Sequence, residues 1–205
     1  IQGEGGIYPA EQAFMIDLAK LCKTHNICLV LDEVQSGIGR TGSLFAYQQY
    51  GIEPDIICLA KGMGAGFPVG ALLFKEKYAE VLVSGTHGST YGGNPLAMAV
   101  ASTVLKEVLS DSFLESVKEI SLYLKDSLEK LKNQLPQIIE IRGLGLLLGI
   151  DTKVDIKQLL LKLQKNGLLA TQAGSSTLRL TPPLIISKDD VDRFIEILRK
   201  TLSEL

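Results

Sequence analysis

Ile57-Cys58-Leu59-Ala60-Lys61-Gly62-Met63-Gly64-Ala65-Gly66-Phe67-Pro68 sets a lysine between an apolar run and a glycine-rich turn. The run follows Pro54-Asp55 and predicts a strand buried on both faces. A lysine at its carboxyl end emerges where open α/β sheets present their ligands. An amine there can attack a carbonyl, and burial would favour the free amine by lowering the ammonium pKa. The glycines permit reversal through positive φ and close approach of the backbone to a flat ligand. Two nucleotide readings fail. A phosphate-binding P-loop carries its lysine after the glycines, and the dinucleotide fingerprint finds Phe67 in place of its third glycine. Taken alone, Ala60-Lys61-Gly62 also fits a solvated lysine leaving a strand end.

Ile27-Cys28-Leu29-Val30-Leu31-Asp32-Glu33-Val34-Gln35-Ser36-Gly37 contains a second apolar run ending in an ionisable group. If the two strands are parallel, as the intervening crossover requires, Asp32 and Lys61 reach the same sheet edge. That pairing matches pyridoxal phosphate. Its aldehyde needs a lysine, and its ring nitrogen needs an anion to keep the electron-withdrawing pyridinium protonated.

Four motifs then stand in order: Asp32-Glu33-Val34-Gln35, Lys61 with its glycines, His87-Gly88-Ser89-Thr90-Tyr91-Gly92-Gly93-Asn94-Pro95, and Leu178-Arg179-Leu180-Thr181-Pro182-Pro183. Together they resemble the class III pyridoxal-phosphate-dependent aminotransferases over essentially the whole chain. The resemblance implies fold type I, with part of a large α/β domain on a mainly parallel sheet (residues 1–110) and a small α+β domain (residues 111–205). It implies that Lys61 holds the cofactor, Asp32 pairs with the ring nitrogen, Val34 packs on the ring, and Gln35 bonds near the ring hydroxyl. Glu33 belongs to the same cofactor motif with a less defined role. Thr90 would contact the cofactor phosphate of a neighbouring subunit, making a homodimer with shared active sites. Glu4, Ser89 and Arg179 would face substrate, Arg179 through a carboxylate. The expected reaction moves the distal amino group of N-acetylornithine to 2-oxoglutarate, in arginine biosynthesis. Ornithine or 4-aminobutyrate are the alternative donors. The family's chain is about twice as long, and Ile1-Gln2-Gly3-Glu4-Gly5-Gly6 looks like a mid-domain motif. With no initiating Met, the chain is expected to be a fragment or trimmed, and a fragment inactive without the missing amino-terminal half is a further alternative.

Composition narrows the classes. At 205 residues and 46% hydrophobic, with 21 basic against 23 acidic residues, the chain has enough apolar material for one or two cores and no charge bias toward nucleic acid. Its apolar stretches are short and interrupted by charge, which argues against a membrane span. Cys22, Cys28 and Cys58 are odd in number, and two lie in apolar runs. Free thiols in a reducing, cytoplasmic setting are expected, with no metal site.

The remaining pattern is organisational. Tyr8-Pro9 predicts a helix start, with Phe14, Leu18, Leu21 and Cys22 as its apolar face. His25 suits the end of that helix and is assigned no chemistry. Residues 44–50 read as a short helical segment, 69–74 as a strand and 75–83 as a helix. Asn94-Pro95 opens a helix to about Leu109. Phe113, Val117, Ile120, Leu124, Leu128 and Leu131 form a core stripe on a helix over 112–134. Residues 138–149 read as two strands around a glycine bend, antiparallel to 178–180. A helix over 155–166 stops at Gly167, and Ser187 with Asp190 caps the last helix. Taken alone, Arg179 also fits a structural ion pair, Glu4 a loop acid, and Ser89-Thr90 turn chemistry.

Overall fold

The computed structural model describes residues 1–205, which form two compact units, Glu11–Leu114 and Ile1–Ala10 with Glu115–Leu205. The grouping of residues 1–10 differs from the expected division at 110/111. Ile7 is fully buried in a cluster with Leu147 and Ala173, and Gly174 donates its N–H to Glu4 O at 2.8 Å. Those contacts join segments far apart in the sequence, which is why local pattern placed the opening residues with their chain neighbours.

The first unit, called here the lysine unit, contains α1 (Gln12–Thr24), β1 (Val30–Asp32), β2 (Ile56–Leu59), β3 (Ala71–Phe74) and α2 (Pro95–Val108). Its sheet runs β1-β2-β3. β1 and β2 are parallel, with Asp32 opposite Cys58, and β3 is antiparallel to β2. Ile57 and Leu59 pack into a core with Ile38, Met63, Ala101 and Val108, so one face of β2 is covered by the glycine-rich loop and α2. The expectation of strands buried on both faces is not met: Ile56 and Cys58 are only half-buried and Val30 is 50% exposed. α1 begins after Glu11 rather than at Pro9, because Tyr8 is engaged in a bridge with Gln2. Of its expected apolar face only Cys22 is buried, while Phe14 is 59% exposed. Asn94 caps α2 by accepting from Ala97 N at 2.9 Å. Residues Glu76–Val81 form a 3₁₀ helix in place of the expected longer one.

The second unit, the arginine unit, holds most of α3 (Phe113–Lys132), then β4 (Ile138–Leu144), β5 (Leu147–Thr152), α4 (Ile156–Lys165), β6 (Thr171–Ala173), β7 (Thr177–Leu180) and α5 (Lys188–Ser203). All neighbours in its β4-β5-β7-β6 sheet are antiparallel. The apolar stripe of α3 is buried from Val117 to Leu131, and Leu148, Ile150, Leu159, Leu163, Leu178 and Leu198 are buried in the same unit. Each fully buried aliphatic side chain contributes about 1.5–3 kcal/mol, so this core outweighs any single polar contact in the unit. Asp155 accepts from Gln158 N at 2.8 Å, and Ser187 and Asp190 cap α5 reciprocally. Gly167 takes the left-handed conformation that stops α4.

Candidate active site

In the lysine unit, β2 delivers Lys61 past the sheet edge as the first residue of a 3₁₀ turn, Lys61–Gly64. Asp32 ends the neighbouring parallel strand, and Glu33 N donates to Cys58 O at 3.0 Å. The carboxylate and the amine therefore leave one edge from adjacent strands. Both side chains are exposed in this chain, so the burial expected for Lys61 is not supplied by these residues. The backbone at Lys61 has φ +41°, a conformation that costs an L-residue about 1–2 kcal/mol. Such strain collects where side-chain direction matters. Chain reversal uses Lys61, Ala65 and Gly66 at positive φ, whereas Gly64 serves close packing: a Cβ there would lie 2.8 Å from Val69 Cγ1.

Asp32 Oδ1 accepts from Val34 N at 2.9 Å, which curls the chain immediately after β1. Val34 and Gln35 follow half-buried. Glu33 turns the other way. It is 4% exposed, and its carboxylate accepts from Ala46 N at 2.7 Å, Tyr47 N at 2.8 Å and Ser36 Oγ at 3.4 Å. Its contacts anchor the 3₁₀ helix Ala46–Tyr50, so its carboxylate, expected in the cofactor motif, is taken up by donors of its own loop. Asp55, just before β2, accepts from Leu29 N at 3.0 Å and pairs with Lys77 and Lys75 at 2.9 and 3.5 Å. The Leu29 N–H, followed by Lys77 and Lys75, holds its carboxyl below the ordinary range against the opposing effect of burial. This ties the entrance of β1 to that of β2. Ser89 and Thr90 are exposed on the turn before α2.

In the arginine unit, Arg179 on β7 donates through Nη1 to Glu4 Oε1 and through Nε to Thr171 Oγ1 at 3.0 Å. Glu4 and Arg179, 175 positions apart and both expected to face substrate, are thus in contact. Arg179 also forms part of the wall of a cavity of about 730 Å³, bordered by Thr171, Leu168, Pro182, Phe194 and Ile197. Sequence reasoning missed Thr171, and it missed Arg142, which sits 7% exposed beneath the Glu4 loop. The available signal was a single arginine inside the apolar run Ile138–Leu144, where an unpaired charge would be costly.

The residues of the lysine unit fit the implied cofactor. An accessible amine and an accessible carboxylate leave neighbouring strand ends beside a glycine-rich turn, and Val34 offers an apolar surface two residues from the anion. These are the groups that a pyridine aldehyde requires. All three cysteines are free, and no helix is long and apolar enough to cross a membrane.

Comparison with known proteins agrees with this donor set. The profile described as "Aminotransferase class-III" matches residues 1–202. An acetylornithine aminotransferase of Oceanobacillus iheyensis is 48% identical over 205 residues, covering 100% of this chain and 51% of the relative. That of Clostridium acetobutylicum is 46% identical over 203 residues, covering 98% and 52%. The chain thus spans about half the length of the curated relatives it matches. Among solved structures, an ornithine delta-aminotransferase of Plasmodium falciparum matches with TM-score 0.94 and 38% identity, covering 100% of this chain and 54% of the other. An acetylornithine aminotransferase of Elizabethkingia anophelis matches with TM-score 0.93 and 37% identity, covering 100% and 53%. A pyridine-aldehyde donor set on a parallel strand pair, and a match running nearly end to end, lead to one conclusion: the chain belongs to the class-III aminotransferases, a pyridoxal-phosphate-dependent family of fold type I.

Proposed function

We propose that the enzyme containing this chain transfers the distal amino group of N-acetylornithine to 2-oxoglutarate, as a cytoplasmic homodimer serving arginine biosynthesis. The observation that carries this reading is the Glu4–Arg179 pair. Pyridoxal phosphate, when bound, supplies the electron sink. Lys61 would attach it through Nζ and, once released, carry a proton at that same atom between substrate carbon and cofactor carbon. Asp32 would hold the ring-nitrogen proton, Val34 the ring face and Gln35 the hydroxyl region. Ser89 would face substrate and Thr90 the phosphate of the other subunit.

Arg179 recognises a carboxylate, because its guanidinium presents paired donors and stays charged. N-acetylornithine and 2-oxoglutarate place different demands on it. A donor reacting at its distal amine must not be drawn in by its α-carboxylate, and Glu4 covers Arg179 against that. For 2-oxoglutarate the guanidinium must be open. Arg179 is 16% exposed but Glu4 is 72% exposed, so water screens the acid's side of the pair and a substrate carboxylate can take its place. Glu4→Ala should raise kcat/KM for glutamate relative to N-acetylornithine, while Arg179→Ala should impair the 2-oxoglutarate half-reaction. Equal effects of Glu4→Ala on both donors would remove this reading.

Ornithine is the second donor to test, favoured by the likeness to solved ornithine aminotransferases. Its reacting amine is also distal, so the pair serves it equally; 4-aminobutyrate too carries a carboxylate distal to its reacting amine, so the pair does not separate it from the other two donors. The exposed apolar residues of the lysine unit, Phe14, Val30 and Leu72 among them, support a need for further chain before cofactor binds. Cofactor titration of the 205-residue chain, with and without the amino-terminal half, tests that.

A further inference from the structure

Arg142 is the most heavily engaged charged group outside the residues assigned above. From β4 it donates through Nε to Gly6 O at 2.8 Å, through Nη1 to Glu140 Oε2 at 2.8 Å, and through Nη2 to Thr177 Oγ1 at 2.7 Å. Asp151 lies 3.7 Å from Nη1, and the guanidinium stands 4.1 Å over the Tyr8 ring. Gly6 is two residues from Glu4. Thr177 is two residues from Arg179 on β7, hence on the same face of that strand. One buried side chain thus joins the loop that carries the acid to the strand that carries the base.

The rest of the loop is fixed to match. Gln2 and Tyr8 bridge its ends, Ile7 is a fully buried plug, and Gly174 N holds Glu4 O. Gly6 adopts φ +124°, and a Cβ there would meet the Tyr8 ring at 2.7 Å and Arg142 Nη2 at 3.3 Å. Beyond the Cα of Glu4 only its exposed side chain is left to move. Resting on the reading of Glu4 and Arg179 as a substrate gate, we propose that Arg142 is a positioning residue for that gate. It clamps the Gln2–Tyr8 loop to β7, so the gate opens by rotation of the Glu4 side chain over a stationary backbone, and donor preference depends on the clamp.

The test pairs hydrogen exchange with donor preference in the cofactor-loaded enzyme, for Arg142→Met, Arg142→Lys and Glu4→Ala. Arg142→Met removes every donor at similar length, and Arg142→Lys returns the charge without the fork. The expected result for Arg142→Met is about tenfold faster exchange at residues 2–8 with β5 and β7 unchanged. It should also shift the glutamate to N-acetylornithine kcat/KM ratio about fivefold or more in the direction produced by Glu4→Ala, with Arg142→Lys intermediate. Unchanged exchange in the loop, exchange raised uniformly over residues 138–180, or a loosened loop with an unmoved donor ratio would each overturn the proposal. If Glu4→Ala itself leaves the ratio unmoved, the gate reading fails and the clamp's role falls with it. If Glu4→Ala moves it and Arg142→Met does not, only the clamp fails.

Discussion

Asp32 and Glu33 are adjacent carboxylates with opposite fates, decided by the pleat that sends successive side chains to opposite sides. Asp32 is exposed at the strand end, and its neighbour is buried under three donors. Asp32→Asn should keep cofactor affinity within a few-fold, because an amide fills the same space. Turnover should fall by about a hundredfold or more, because the amide cannot hold the ring-nitrogen proton; cofactor titration with steady-state kinetics separates the two. Glu33→Ala should leave one buried and one part-buried backbone N–H without acceptors and lower stability by about 2–4 kcal/mol, measured by urea unfolding. Wild-type stability in that variant would show that the loop finds other acceptors. Lys61 has a direct check: borohydride treatment of the cofactor-loaded enzyme should leave cofactor mass on the peptide containing Lys61 and on no other lysine. The apolar run ending in a carboxylate was enough to place Asp32 at a strand end. Glu33's destination depends on a contact thirteen residues away, which no short motif encodes.

At the level of elements, local chemistry was legible and burial was not. Asn94 and Ser187 cap as expected, and Asp155, read as the first helical residue, is the cap of α4, because a cap is decided by a side chain and the N–H groups two or three residues on. The parallel pairing of β1 with β2 followed from the length of the crossover. Burial of α1 and of the outer strands did not follow, because an apolar pattern states a need for cover without supplying it. The placement of residues 1–10 escaped the sequence for a similar reason, since the Arg142–Gly6 bond spans 136 positions. Asp55 links the entrances of β1 and β2. Its pKa is lowered by the Leu29 N–H, Lys77 and Lys75, so its contribution is fully present above the unfolded value and is lost as pH falls through the lower folded value. Urea midpoints should therefore decline below about pH 4. Asp55→Asn should start from a lower midpoint at neutral pH and show a shallower acid decline. Parallel curves for the two proteins would remove Asp55 as the tie between β1 and β2.

The largest-scale proposal is that two copies of the complete enzyme share their active sites, with Thr90 of one reaching the phosphate of the other. In the lysine unit Thr90 sits exposed on the turn before α2, next to Tyr91, which is 81% exposed. Tyrosine is among the residues enriched at protein interfaces. Complementation decides whether the hydroxyl works across a two-fold axis. A Lys61→Ala subunit and a Thr90→Ala subunit, each inactive or weak alone at limiting cofactor, are mixed, dissociated and reassociated. With shared sites, each heterodimer holds one site with both defects and one with neither. Random pairing makes half of the dimers heterodimers, so about a quarter of wild-type activity should return. If Thr90 served its own subunit, every site of the heterodimer would retain one defect and no activity would be regained. Recovery should also depend on the mixing ratio, peaking at equal amounts of the two subunits, because only the heterodimer carries an intact site. A response that only interpolates linearly between the two parent activities, with no maximum, would show that the two residues act within one chain.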